Sequence, residues 1–271
     1  VGPTLGGIVI EYLSWRINFI LHLPLTLIIL LLLHKVPDES ESRLVEEFKF
    51  DKTGASLYMA SIALLCFGVS SLPNSKSLVL LSLFLITVAL FVNHSQKHSF
   101  PIWNLRVFRN NAMLTKSCLA SYMMYSATYS NVVILSLYLQ DLKQLSASQA
   151  GLIMSLQPTT MAILSSVSGR LSDAIEPRLL ATLGMLIASG SLFTLSVLAS
   201  SDLSINFIAV LVLVGIGFSL FSSPNTNAIM SAVAKENYGL AASTAASTRN
   251  LGQLSSIFLV SFSMSFIVGD Q

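Results

Sequence analysis

The fifteen residues from Phe19 to Leu33, FILHLPLTLIILLLL, contain no charged side chain. Runs of this kind recur along the chain, and nothing else in it so narrows what it can fold into. Crossing a bilayer takes about 20 mostly apolar residues in a helix. The stretches 17–34, 53–72, 77–94, 112–138, 149–168, 179–199, 205–231 and 240–266 meet that requirement. Residues 1–13 read as the end of one more helix. Period-two alternation is absent, which argues against a membrane barrel. Eight spans plus the end of another helix describe an all-α polytopic membrane protein.

Charge agrees with this reading. Only 10% of the residues are Asp, Glu, Lys or Arg, and 53% are hydrophobic. A soluble domain carries about 25% charge, so most of this surface has to face lipid. Nine of the charged residues crowd between Val36 and Lys52, leaving the rest of the chain poorer still. A net charge of +2 is too small and too scattered for nucleic acid. Cys66 and Cys118 sit in or beside apolar segments, with no disulfide or metal framework around them. His22, His34, His94 and His98 read as helix-end polar groups, and no metal site is expected. No nucleophile–base set, phosphate-cradling glycine loop or HExxH occurs, so the chain is not expected to be an enzyme.

Cations set the expected orientation. Lys35, Arg43, Lys49, Lys52, Lys97, Arg106, Arg109, Lys116, Arg170, Arg178 and Lys235 fall on one side, and Arg16, Lys76 and Lys143 on the other. By the positive-inside rule the loops 35–52, 95–111, 169–178 and 232–239 are cytoplasmic. Residues 1–13 then run outward. Arg16 is the first basic residue and follows the apolar run, the reverse of a secretory signal. The expectation is an internal to C-terminal fragment of a larger protein of the cell membrane.

Three stretches carry more specific information. The first is VGPTLGG, where Gly2 and Gly6 stand four apart with Pro3 between them and Gly7 adjacent. Small residues at that spacing let a neighbouring helix approach closely. The second is GRLSDAIEPR, 169–178, read as a loop in which Gly169 allows a tight helix exit and Asp173 caps the next helix. Arg170 and Arg178 would pair there with carboxylates or helix ends. The third runs from GIGFSLFSSPNTNAIM, 215–230, through KENYGLAASTAASTRNLGQ, 235–253. Pro224 is expected to break a helix beside Asn225 and Asn227. Ala241, Ala245, Arg249 and Gln253 recur every four residues and share a face. Irregular backbone and charge at membrane depth belong against protein or an aqueous path. Tyr122, Tyr125 and Tyr129 form a further aromatic face, followed by Asn131, and Gln157 precedes Pro158. Glu11 reads as the outer end of its helix meeting headgroups.

GPxxGG followed by Trp15-Arg16 resembles motif C of the major facilitator superfamily, as found in its fourteen-span drug/proton antiporters. SWRINFILHLPL, 14–25, is similar to that family's S-W-R-x-x-F-x-x-N-x-P, with His22 in the asparagine position. GRLSDAIEPR resembles motif A through Gly169, Leu171, Asp173 and Arg178, while Ala174 and Pro177 depart from it. The third stretch is similar to the family's last third. The resemblance implies a partial major facilitator fold, in which three-helix repeats build six-helix bundles. Residues 1–34 would end the N-terminal bundle, with 17–34 its sixth helix. Residues 35–52 would be a charged cytoplasmic loop, 53–94 the extra hairpin, and 95–111 a linker. Residues 112–271 would hold five of six C-terminal helices.

The implied function is export of small, amphipathic or drug-like compounds by proton antiport through alternating access. Tyr122, Tyr125, Tyr129, Asn131, Gln157, Asn225, Asn227, Arg249 and Gln253 would be candidates for lining the substrate cavity. Gly169, Arg170, Asp173 and Arg178 would form a cytoplasmic gate. No cofactor is implied, only a proton gradient, and the partners are a small-molecule substrate, protons and the lipid bilayer. No obligate protein partner is evident. A metabolite or amino-acid permease of the same superfamily, or a non-transporting membrane scaffold, remain alternatives.

Overall fold

The computed structural model describes residues 2–33, 51–71, 74–98, 101–103, 108, 111–198, 205–234 and 237–268. Among these the secondary structure is helical throughout. In chain order the helices are α1 Gly2–Tyr12, α2 Trp15–Ile20, α3 His22–Leu33, α4 Lys52–Ser70, α5 Ser75–Lys97 and α6 Ala112–Thr128. Then come α7 Asn131–Leu137 with a π-helical turn Tyr138–Leu142, α8 Ala147–Ala174, α9 Pro177–Leu198, α10 Ile205–Ser231 and α11 Tyr238–Val268. Among the described residues, six stretches are long and apolar enough to cross a membrane: Trp15–Leu33, Lys52–Ser70, Ser75–Lys97, Ala147–Ala174, Pro177–Leu198 and Ile205–Ser231.

One expected span comes out differently. The run 112–138 is not one helix but is interrupted at Tyr129–Ser130, between α6 and α7. The Ser130 N–H donates to the Ser256 hydroxyl at 2.8 Å instead of to a carbonyl one turn back. The last helix, α11, is the longest at 31 residues. Its stretch 251–268 carries no Asp, Glu, Lys or Arg, so the apolar run expected over 240–266 lies within one helix.

Five helix starts follow local chemistry. Ser14, Asp51, Asn74, Asn111 and Ser146 each occupy an N-cap and accept a backbone N–H from the first turn. Ser146 and Gln149 complete a reciprocal capping box at the start of α8.

The chain clusters into two compact units, one of Val1–Leu44 with Asn131–Asn225, the other of Val45–Ser130 with Thr226–Gln271. In the first, α1 crosses α8, and α9 and α10 meet where Gly184 and Gly217 face each other's backbone. A Cβ at Gly184 would lie 2.6 Å from the Gly217 carbonyl oxygen, and one at Gly217 would lie 2.7 Å from the Ala188 nitrogen. Lipid leaves helices little hydrophobic reason to associate, so such close backbone approach is what packs them. Ser168 and Ser219 hydrogen-bond between α8 and α10 at 2.8 Å. Leu135, Leu139, Ala150, Leu195, Phe207, Val210 and Leu211 form the apolar core. Neither α2 nor α3 has a buried residue.

In the second unit α4 and α5 form an antiparallel hairpin, and α6 pairs with α11. Tyr58 and Phe91 pack at 5.7 Å across the hairpin, while Leu114, Cys118, Ile229 and Ala241 form a separate core.

The hairpin makes the orientation testable. Asn74 and Gln96 lie at opposite ends of α5, about 33 Å apart at 1.5 Å per residue. In a version of the complete protein lacking Cys66 and Cys118, a cysteine at Asn74 should react with an impermeant thiol reagent added outside intact cells. One at Gln96 should not. The reverse pattern would invert the orientation read from the cations. Lys35, Arg43, Lys49, Arg106, Arg109 and Lys235 lie outside the described residues.

Candidate functional site

The tyrosine face expected on α6 is packed on α11 within the second unit. Gly252 makes the contact possible. A Cβ there would fall 2.8 Å from the Tyr122 carbonyl oxygen and 3.0 Å from the Tyr125 Cβ. The Tyr122 hydroxyl hydrogen-bonds to Ser255 at 3.0 Å, and Ser130 and Ser256 hydroxyls meet at 3.0 Å. Three turns from the start of α11, the Arg249 guanidinium lies 6.0 Å from the centre of the Tyr125 ring. Arg249 itself is exposed and Gln253 half-buried. Tyr129 is the C-cap of α6 rather than part of its helix, and is 37% exposed. The arrangement is a half-open surface of phenol rings with one cation against it.

The amide residues are distributed more widely. In the first unit Asn131 begins α7 and Gln157 lies where α8 meets α10. A Cβ at Gly215 would stand 2.6 Å from the Gln157 carbonyl oxygen. Asn225 is buried and Asn227 exposed. Pro224 does not break the helix as expected: α10 runs through it to Ser231, with Pro224 among the most buried side chains. Pro158 is likewise accommodated inside α8. A proline removes its own N–H from the ladder and crowds the carbonyl one turn back, and in a membrane bundle neighbouring helices can satisfy the freed group so that the helix continues.

The glycine-rich start is a real helix contact, but not through the pair that the spacing suggests. Gly7 lies against the Ala147 carbonyl, and Gly151 of α8 lies against the Pro3 carbonyl, each too close for a Cβ. Gly6 faces only the Asn18 side chain, 3.7 Å from its Cβ position, and Gly2 faces nothing within 4 Å. At the end of α1 the Glu11 carboxylate accepts the Ser148 N–H at 2.9 Å and so helps to cap α8. The imidazole Nδ1 of His22, in the family's asparagine position, is 2.8 Å from the carbonyl of Asn18 one turn back.

The stretch 169–178 is not a loop. Gly169, Arg170 and Asp173 all lie in α8, which continues to Ala174, and only Ile175 and Glu176 separate it from α9. Nothing within 169–174 interrupts the ladder, whereas Pro177 suits a first helical position, its missing N–H needing no partner there. Gly169 therefore provides no helix exit. Asp173 does not cap α9, whose first turn bonds instead to the Glu176 carbonyl through Leu179 and Leu180. Arg170, Asp173 and Arg178 are exposed.

One cluster was missed from the sequence. Asp51, the N-cap of α4, meets His94 and His98 at the end of α5, with one possible ligand atom from each within 4.8 Å of the others. The two histidines stand four apart and converge, against the expectation of unrelated helix-end groups. His34 lies outside the described residues. Burial acts to raise the pKa of Asp51, but hydrogen bonds from the Gly54 N–H and the His94 ring outweigh it and hold the carboxyl below its ordinary value. The legible signals were Asp-x-x-Gly ahead of an apolar run and the i, i+4 histidine spacing.

Residues 1–257 match the family model of the Major Facilitator Superfamily. The uncharacterized transporter YebQ of Escherichia coli is 28% identical over 263 residues, covering 96% of this chain and 57% of that protein. The riboflavin transporter RibZ of Clostridioides difficile is 28% identical over 271 residues, covering 96% and 57%. The multidrug resistance protein Stp of Mycobacterium tuberculosis is 28% identical over 258 residues, covering 93% and 47%. The chain thus spans about half the length of the curated relatives it matches. With apolar helices of membrane-crossing length and a family match over nearly its whole extent, this chain belongs to the Major Facilitator Superfamily of membrane transporters.

Proposed function

We propose that this chain is part of a proton-coupled exporter of small amphipathic or drug-like compounds. The observation that carries the reading is the α6–α11 surface, where Tyr122 and Tyr125 present partly buried rings and Arg249 stands beside Tyr125. Aromatic faces bind cationic and flat apolar molecules with little demand on shape, at about 0.5–2 kcal/mol each. The names of the relatives Stp and the lincomycin resistance protein LmrB of Listeria monocytogenes point the same way. Gln253, Asn131, Gln157, Asn225 and Asn227 are proposed to supply polar contacts to the substrate. Arg170, Asp173 and Arg178 are proposed to act at the cytoplasmic face from helix ends rather than from a loop. The coupling ion is proposed to be the proton. A metabolite permease is the second reading, favoured by the similarity to a riboflavin transporter over 96% of the chain.

The test is dye efflux from cells expressing the complete protein, with and without a protonophore. Export that stops when the proton gradient collapses supports the proposal. Gradient-independent movement, or net uptake of a metabolite with no efflux of any dye, overturns it. Within the same assay, Tyr122→Ala and Tyr125→Ala should change the order of preference among three chemically different dyes. Loss of one ring contact moves affinity several-fold to tens-fold. Equal loss for all three at normal membrane abundance would make the rings packing residues.

A further inference from the structure

We propose that Asp51, His94 and His98 form a binding site for a first-row divalent cation of the zinc class, at the end of the α4–α5 hairpin opposite its turn. Two imidazoles and one carboxylate make a borderline-soft donor set that suits zinc and its cobalt substitute better than magnesium or calcium. The fold brings the three together from both ends of the hairpin's sequence, forty-three residues apart for Asp51 and His94. Asp51 is 4% exposed, and its Oδ1 accepts the Gly54 N–H at 2.8 Å and the His94 Nε2–H at 2.8 Å. Its Oδ2 is buried with no partner at full hydrogen-bond geometry, the Ile102 backbone giving the carboxylate only a weaker contact. A buried carboxylate oxygen left without a partner is costly, and a cation beside the carboxylate would relieve that cost.

The spacing is close to what coordination needs. Ligand atoms about 2.0–2.2 Å from a zinc ion stand roughly 2.9–3.5 Å apart, so the 2.8 Å gap between His94 Nε2 and Asp51 Oδ1 nearly fits already. The widest separation in the cluster is within 4.8 Å, and closing it asks for a shift of roughly 1 Å, small for a ring on the C-capping residue of α5. The His94 and His98 rings lie 5.1 Å apart and are inclined by 34°, so both can turn an edge toward one point. Binding would replace the His94–Asp51 hydrogen bond with two coordinate bonds, the His94 imidazole taking its Nδ1–H form. Asp51 would keep the Gly54 hydrogen bond as its orienting contact. Both histidines are only half-buried, which leaves a coordination position open to water.

The experiment uses the complete protein in detergent, stripped of metal by a chelator and carrying an affinity tag without histidine. Co2+ is titrated while its visible absorption is followed, Zn2+ then competes, and thermal unfolding is recorded with and without Zn2+. One Co2+ should bind without a thiolate charge-transfer band, and Zn2+ should displace it and raise the unfolding temperature. His98→Gln keeps the Asp51–His94 hydrogen bond, and its unfolding with Zn2+ is compared with its own metal-free unfolding. This variant should bind Zn2+ more weakly by at least the roughly 10–100-fold typical of losing even an outer-shell partner. Asp51→Asn, a second variant of similar shape, should lose the Co2+ spectrum as well. No Co2+ uptake by the parent, or Zn2+ stabilisation that survives His98→Gln, overturns the proposal and leaves Asp51 and His94 as a hydrogen-bonded staple.

Discussion

Leucine in place of Gly7 should prevent α1 and α8 from packing, while leucine in place of Gly6 should be tolerated. The two positions are adjacent in sequence but point about 100° apart around the helix. At Gly7 a new Cβ meets the backbone carbonyl of Ala147, which cannot move aside as a flexible side chain can. At Gly6 the nearest atom is the end of the Asn18 side chain at 3.7 Å, which can move aside. Overpacking usually costs about 1–3 kcal/mol, and an obstacle made of backbone places Gly7→Leu at the upper end of that range or beyond it. Separating the helices would also pull Glu11 away from the Ser148 N–H at the start of α8. The measurement is unfolding temperature and monodisperse recovery of the complete protein in detergent. Gly151→Leu, on the other side of the crossing, should reproduce the Gly7 defect. Equal damage from Gly6→Leu would mean that α1 presents a different face from the one observed.

For the proposed export activity of the complete protein, Arg249→Ala should reduce transport of every substrate strongly while changing stability little. Arg249 is exposed, and its contact with Tyr125 is a cation–π pair at 6.0 Å. Such a pair at an exposed position contributes about 0.5–1 kcal/mol, so its removal should lower the unfolding temperature by only a few degrees. A cation in a largely apolar helix faces protein or an aqueous path by default, and Arg249, three turns into α11, is proposed to act in transport from there. Arg249→Lys keeps the charge and loses the planar fork, so partial export is expected. Export of three dyes with membrane abundance measured alongside decides the matter. Selective loss for one dye would place the arginine among the substrate contacts, and a large fall in unfolding temperature would make it structural.

Apolar runs and sparse charge alone determined that this chain is a helical membrane protein, because helix length and lipid exposure are local properties that every span must satisfy by itself. The three motif stretches, in their order, were enough to point to the family. Caps such as Ser14, Asp51 and Ser146 were likewise open to local reading, since a capping side chain reaches only three residues along. What the tertiary structure decided is which neighbour each residue meets. Gly6 and Gly7 are equally small, and only the presence of Ala147 across the crossing leaves no room for a Cβ at one of them. The break at Tyr129–Ser130 depends on a serine hydroxyl 126 residues away, which no window along the sequence can contain. Pro224 is a helix breaker in isolation, yet inside α10 it is buried and the helix continues. Asp51, His94 and His98 are separate helix-end groups until antiparallel pairing of α4 and α5 folds one end of the hairpin onto the other. Spans and caps are thus set by forces acting within a few residues, whereas close approaches, breaks and clusters arise only from contacts that the folded chain creates.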